Sequence, residues 1–257
     1  MVKLLSVLAF AALLSGQILS PIVAGGGSSF TLTATTVSTS QVVTIQRLTL
    51  NGAQILSWGD GQSTTITSGS TGTWPHTYAS AGTYTITLPN ARGIIGLQLQ
   101  DAKLGTLKTS QLRQSSLNYF YVTAITASTI SSADMSAWRP TTWELFGMPA
   151  GTYTISSADM SAWTGITILN YYSMPSAITV TANTLSTQVA MTTLNLSNDA
   201  LAAAAVNQVL ADLVTSISGR GGVKCITTLN GTNAAPTGTG ITNKATLVAA
   251  GWTVTTN

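Results

Sequence analysis

Apolar and polar positions follow two regimes along this chain. Over residues 30–90 they alternate with a period of two, the pattern of strands with one buried and one wet face. Val43 and Ile45, then Leu48 and Leu50, mark the first strands, and Asn51-Gly52 predicts a hairpin turn after them. Ile55-Leu56-Ser57-Trp58 runs into Asp60-Gly61, a second tight turn. Further on, Tyr84, Ile86 and Leu88 interleave with Thr83, Thr85 and Thr87.

From about residue 95 to 200 a longer period takes over. The stretch Thr129-Ile130-Ser131-Ser132-Ala133-Asp134-Met135-Ser136-Ala137-Trp138 returns unchanged as Thr154 to Trp163, 25 residues later. Weaker copies flank the pair. Thr106-Leu107 with Leu112 precedes it, and Thr179-Val180 with Leu185 follows it. Each copy leads into a second apolar run: Leu117–Val122, Trp143–Phe146, Ile166–Leu169 and Leu194–Leu196, with Leu97 and Leu99 as an earlier rung. Self-similarity at such a period predicts a stack of short units, none of which can bury its apolar side alone. Met135 and Met160, and Ile130 and Ile155, are expected to stack inside.

The pattern then turns helical. Val206, Val209, Leu210, Leu213 and Ile217 fall on one face of a helix expected over 197–218, with Ser197 or Asn198 as its cap, Asp199 in its first turn and Gly219 as its stop. The tail reads as a strand, a turn, a short helix from about Thr242 to Ala250, and a final strand. At the other end, residues 1–24 form an apolar segment behind Lys3, and Gly25-Gly26-Gly27-Ser28-Ser29 is a hinge by composition. Three readings of 1–24 stand side by side: a cleaved export signal, a retained membrane anchor, and a helix docked into an assembly. The expected division is 1–29, 30–92, 93–196 and 197–257.

Composition narrows the class. Charged residues make up 7% of the chain, against about 25% in an average soluble domain. Thr, Ser, Asn and Gln carry the polar load instead, as in β-rich extracellular or particle-borne proteins. The net charge of +3 comes from dispersed residues, without the basic stripe of a nucleic-acid binder. Cys225, the only cysteine, reads as a small buried hydrophobe. No cofactor or metal motif and no catalytic residue is expected; Gly59-Asp60-Gly61 lacks the lysine and helix of a phosphate loop.

The remaining chemistry lies on the repeats. Asp134 and Asp159 hold equivalent places, as do Trp138 and Trp163, so all four form a candidate binding edge. Paired carboxylates suit a glycosidase or a calcium ion. Against this, Asp commonly satisfies backbone N–H groups at turns, and a stacked tryptophan commonly belongs to a core. Those second readings are preferred for both pairs.

Three resemblances add to this. Trp58-Gly59-Asp60-Gly61 with His76-Thr77-Tyr78 and Gly82-Thr83-Tyr84-Thr85-Ile86 resembles the polycystic-kidney-disease (PKD) type β-sandwich. It implies an immunoglobulin-like spacer in which Asp60 and His76 are structural. Leu194-Asn195-Leu196-Ser197-Asn198-Asp199-Ala200-Leu201 resembles an irregular leucine-rich-repeat solenoid, although the earlier copies lack its Asn. The tail, Gly231-Thr232-Asn233-Ala234-Ala235-Pro236-Thr237-Gly238 with Gly251-Trp252-Thr253-Val254-Thr255-Thr256-Asn257, is similar to C-terminal caps of bacteriophage virion and bacterial surface proteins. The implied fold is mainly β: an N-terminal apolar helix, a PKD-like sandwich, and a repeat solenoid with an α/β cap. The implied role is a non-enzymatic virion component, a head or tail fibre or decoration protein. Its partners would be other virion proteins through 1–24 and host-surface glycans or proteins through the repeats, with no nucleic acid, membrane contact only through 1–24, and self-assembly as in trimeric fibres. A secreted bacterial adhesin with a cleaved signal, and a glycan-cleaving enzyme using Asp134 and Asp159, are the competing expectations.

Overall fold

A computed structural model describes residues 28–147, 152–174 and 178–257. The expected apolar segment 1–24 lies outside these residues, and so do the glycines of the hinge. What is described is mainly β, with two helices near the C-terminus. No helix among the described residues is long and apolar enough to cross a membrane.

Seven strands come first: Phe30–Thr36 (β1), Gln41–Ile45 (β2), Arg47–Leu50 (β3), Gln54–Ser57 (β4), Ser63–Ile66 (β5), Trp74–Tyr78 (β6) and Gly82–Leu88 (β7). β1 and β7 pair antiparallel along their length, placing Leu32 opposite Ile86, and β2 pairs with β6. The Asp60-Gly61 turn forms as expected. It joins β4 to β5, with the Trp58 N–H on the Gln62 carbonyl at 3.0 Å and Gly59 and Gly61 both at positive φ. Asn51-Gly52, in contrast, closes no hairpin. β3 pairs with a later strand and β4 with β5 and β7, so the chain changes sheets at this bend. Leu48, Leu50 and Leu56 are all buried, which a plain two-strand ribbon could not achieve.

The next strands are Ile94–Leu99 (β8), Leu104–Gly105 (β9), Leu107–Lys108 (β10), Tyr119–Thr123 (β11), Ser128–Ser131 (β12), Thr142–Phe146 (β13), Thr152–Ser156 (β14), Ile168–Tyr172 (β15), Ile178–Thr179 (β16) and Thr193–Asn195 (β17). Helix α1 spans Ala203–Ser216; Ile226–Leu229 (β18), helix α2 (Thr239–Ala249) and Thr253–Thr256 (β19) complete the chain. The eight-stranded sheet runs β19-β18-β17-β15-β13-β11-β8-β3, parallel throughout except for β3. A second parallel sheet runs β10-β12-β14-β16. The central coils thus give one strand to each sheet and close through a 3-10 turn. β3 and β9 tie the first strands to this stack through β8 and β1.

Between the two sheets lies the core. Phe120, Trp143, Leu169 and Leu194 meet in register from one side, and Ile130, Ile155, Met135 and Met160 are buried from the other. The exit from the long sheet repeats too. Ala124, Gly147, Ser173 and Asn198 all have positive φ, and the N–H groups of the last three donate to the next coil, to the carbonyls of Tyr172, Ser197 and Asn230. Non-glycine residues tolerate this conformation because neighbouring coils fix it.

The expected helix 197–218 is shorter than the pattern suggests. Ser197 and Asn198 do not cap it; its cap is Ala202, which supplies no side-chain hydrogen bond. The polar residues before it are engaged elsewhere: Asn198 turns left-handed and its Oδ1 accepts the Thr232 N–H at 3.2 Å. Val206, Val209, Leu210 and Leu213 face the last coils as expected. α2 starts at Thr239, ahead of the expected Thr242.

Candidate functional site

The repeated Ser and Asp residues form a relay of separate side-chain pairs, each joining two successive coils. Thr109, Ser132 and Ser157 are each fully buried and each accepts a backbone N–H from the next coil: Ser131 at 2.9 Å, Ser156 at 2.8 Å and Thr181 at 2.8 Å. Thr109 donates onward to Asp134 Oδ2 at 2.8 Å, and Ser132 to Asp159 Oδ2 at 2.5 Å. In the next coil Thr184 stands where the Asp was, and the bond reverses: Thr184 donates to Ser157 at 2.6 Å. The line ends on Asp212 of α1, which accepts the N–H groups of Asn183 and Leu185 at 2.8 and 2.9 Å. Asp134 is buried and also pairs with Arg113 at 2.5 Å; Asp159 is half-buried. Both carboxylates therefore meet the preceding coil's hydroxyl rather than a turn N–H, which corrects the local expectation.

The tryptophans are spent on packing. Trp138 and Trp163 are 0% exposed. Their Nε1–H groups donate to the carbonyls of Leu112 and Met135 at 3.0 and 3.3 Å, and Gln188 makes the same bond to Met160 at 2.9 Å. An edge built from Asp134, Trp138, Asp159 and Trp163 offers a ligand no indole surface.

The exposed chemistry lies on the outer face of the eight-stranded sheet, at positions the sequence reading counted as apolar runs. In β11, β13 and β15 buried and half-exposed residues alternate. Tyr121, Glu144 and Asn170 point outward in one register row, continued by Gln98 and Asn195. Phe146 and Tyr172 stand beside them; Tyr172 is 38% exposed. Tyr121 and Phe146 meet edge to face at 5.2 Å, and Phe146 and Tyr172 at 6.5 Å. Asn170 donates to Glu144 at 2.9 Å, Tyr119 to Gln98 at 3.2 Å, and Gln98 to Gln100 at 2.9 Å. The Arg47 guanidinium lies 4.2 Å above the Tyr119 ring. Burial lifts the Tyr119 phenol above its ordinary range, and the Glu144 carboxylate adds to this. The available signal was the period of two in Tyr-Phe-Tyr-Val-Thr, Thr-Trp-Glu-Leu-Phe and Ile-Leu-Asn-Tyr-Tyr, which sets Glu144 and Asn170 in phase with Tyr121.

Three further titratable groups, the His76–Asp60 pair and Asp199, stand apart from this face. His76, the only histidine, stacks on Trp58 at 4.7 Å, and its Nε2 lies 2.8 Å from Asp60 Oδ2. Burial opposes the Asp60 charge, but the His76 bond and the Gln62 N–H outweigh it and hold the carboxyl below its usual range. Asp199 is the reverse case. It is fully buried beside a cavity lined by Ile178, Val180, Ala202, Ala205 and Gln208. Its Oδ1 accepts the Met174 N–H at 2.8 Å, its Oδ2 has no partner among the described residues, and burial pushes its pKa up to about 7. No group of three or more His, Cys, Asp or Glu side chains among the described residues could hold a metal ion.

Comparison of the chain with protein-family models, curated proteins and solved structures finds no match.

Proposed function

We propose that this chain is a non-enzymatic structural and adhesion protein on a particle surface, a bacteriophage virion component that presents a repeat stack to the host. The carrying observation is the outer face of the long sheet. It is broad, nearly uncharged and regularly spaced, with aromatic and amide groups that change from coil to coil. Such a face makes many weak, simultaneous contacts rather than bonds at one centre. In this reading the first strands are a PKD-like sandwich, with Trp58 and His76 stacked at its turn. The coils are an irregular leucine-rich-type solenoid, and Asn233 is a cap residue. It donates to the Leu196 and Leu229 carbonyls and accepts from Asp199 and Leu201. Residues 1–24 would dock into the particle, as in a head or tail fibre or decoration protein.

The second reading is a secreted bacterial adhesin, favoured by the Lys3-led apolar segment. Mass spectrometry of the native protein separates the two. A particle-bound chain retaining residues 1–24 is expected; a mature chain starting near Gly25 and absent from particles would refute the virion reading. Adhesion itself is read from binding of the purified chain to host cells.

A further inference from the structure

The geometry points to an uncharged polysaccharide as the ligand of the outer sheet face, held by Tyr121, Phe146, Tyr172, Glu144 and Asn170. This inference rests on the adhesion reading and supplies its ligand class and its contact residues. Sugar rings have two kinds of surface. Their C–H faces pack on aromatic rings, and their hydroxyls both donate and accept hydrogen bonds. The sheet face has both in one patch. Tyr121, Phe146 and Tyr172 form a connected aromatic cluster across three adjacent strands. Gln98, Glu144, Asn170 and Asn195 run beside it in register, one per strand apart from Tyr121's place in the row. Amides carry donors and acceptors together, and a carboxylate accepts from paired hydroxyls. Adjacent strands lie about 4.8 Å apart, close to the width of one sugar ring, so a chain crossing the strands meets a new strand at each sugar residue.

Charge selects among polymers. Among its described residues the patch carries the Glu144 carboxylate, and Arg47, on the strand beside Gln98, is engaged with the Tyr119 ring and with Thr49 Oγ1 at 3.3 Å. A nucleic acid or an anionic glycan finds no free cation among the described residues there. A protein partner is disfavoured because the middle row is polar where protein interfaces are dry and apolar at their centre. The rings are fixed by their neighbours in the sheet, so little side-chain freedom is lost on contact.

Cellohexaose, laminarihexaose, maltohexaose and mannohexaose, with hyaluronan hexasaccharide as the anionic comparison, should be titrated calorimetrically against the full chain. At least one neutral sugar is expected to bind saturably. Tyr172→Ala and Asn170→Ala should each weaken it about tenfold or more at unchanged melting temperature. Thr255→Ala, on the same face at the far end of the sheet, should leave it unaltered. The inference fails if no neutral sugar binds up to about millimolar concentration, if hyaluronan is preferred, or if both variants bind as the parent does. Host-cell binding that persists without sugar binding overturns the ligand class alone. Loss of host-cell binding by the parent chain overturns the adhesion reading.

Discussion

Replacing Asp199 by Asn should stabilise the protein, and increasingly so as pH rises from 4 to 7. Asp199 and Asn233 hold comparable places in successive coils: Asp199 Oδ1 accepts the Met174 N–H, and Asn233 Oδ1 accepts the Asp199 N–H. Asn233 uses its amide protons on two buried carbonyls, whereas Asp199 Oδ2 has no partner among the described residues. An ionised carboxylate there is buried with the Met174 N–H as its one compensation among the described residues, and burial outweighs it, so the fold holds the proton up to about pH 7, against 3.8 for the free group. Below pH 3.8 the folded and unfolded states are both protonated. Between 3.8 and 7 the unfolded chain gives up its proton while the fold keeps it, so stability falls. Above 7 the loss is constant. A difference of about three pKa units corresponds to about 4 kcal/mol at most, at about 1.4 kcal/mol per unit. The Asn variant has no ionisable group and so no such loss. Urea midpoints of parent and variant from pH 4 to 8, followed by tryptophan fluorescence, should diverge upward with pH. Subtracting the two curves removes the opposite contribution of Asp60, whose lowered pKa stabilises the fold above the acid range and is lost as pH falls. Parallel curves, or an Asn variant less stable at pH 7.5, would refute the reasoning.

Other substitutions probe the relay, the core and the first turn. Ser132→Ala removes the hydroxyl that serves both the Ser156 N–H and Asp159, and should lower stability by about 1–3 kcal/mol in denaturant unfolding; Ser136→Ala, at an exposed position, should be near neutral. Trp163→Ala empties a fully buried site packed edge to face against Trp143 at 4.7 Å, and should cost about 3–5 kcal/mol by the same assay. Gly59→Ala meets both a positive φ and a Cβ 2.5 Å from the Thr85 carbonyl oxygen, and a loss of about 1–3 kcal/mol in thermal unfolding is expected. A Gly61→Ala variant has the φ penalty without the clash and should lose less.

The repeat was legible because neighbouring coils impose the same demand at the same place. Leu112, Met135, Met160 and Leu185, picked out by spacing, are all buried. Trp138, Trp163 and Gln188 show why chemistry was less legible than position. Gln188 differs in type from the two tryptophans, yet each of the three sends one N–H to the turn of the coil before it. Register was also beyond the sequence. The duplicated stretches are 25 residues apart, but in the short sheet Ile130 pairs with Tyr153, two residues before its sequence equivalent Ile155. A slip of two preserves which face each side chain occupies, so a pattern of apolar positions does not detect it.

The outer face was missed for a related reason. A parallel strand covered on one side only, lying in a sheet of half-buried aromatics, looks in sequence like a continuous apolar run. Tyr119, Phe120 and Tyr121 read as one block, yet only Phe120 is in the core. The exact duplication drew attention to Asp134 and Asp159, whose partners turn out to be the hydroxyls of adjacent coils. At Asp134, Asp159, Trp138 and Trp163 identity between repeats marks positions matched to a neighbouring coil, and these are committed to the stack. Residues free to meet a ligand are those whose outward neighbours vary, as Tyr121, Glu144 and Asn170 do along a single row. In a chain of stacked coils, departure from the repeat is the better guide to contact with other molecules.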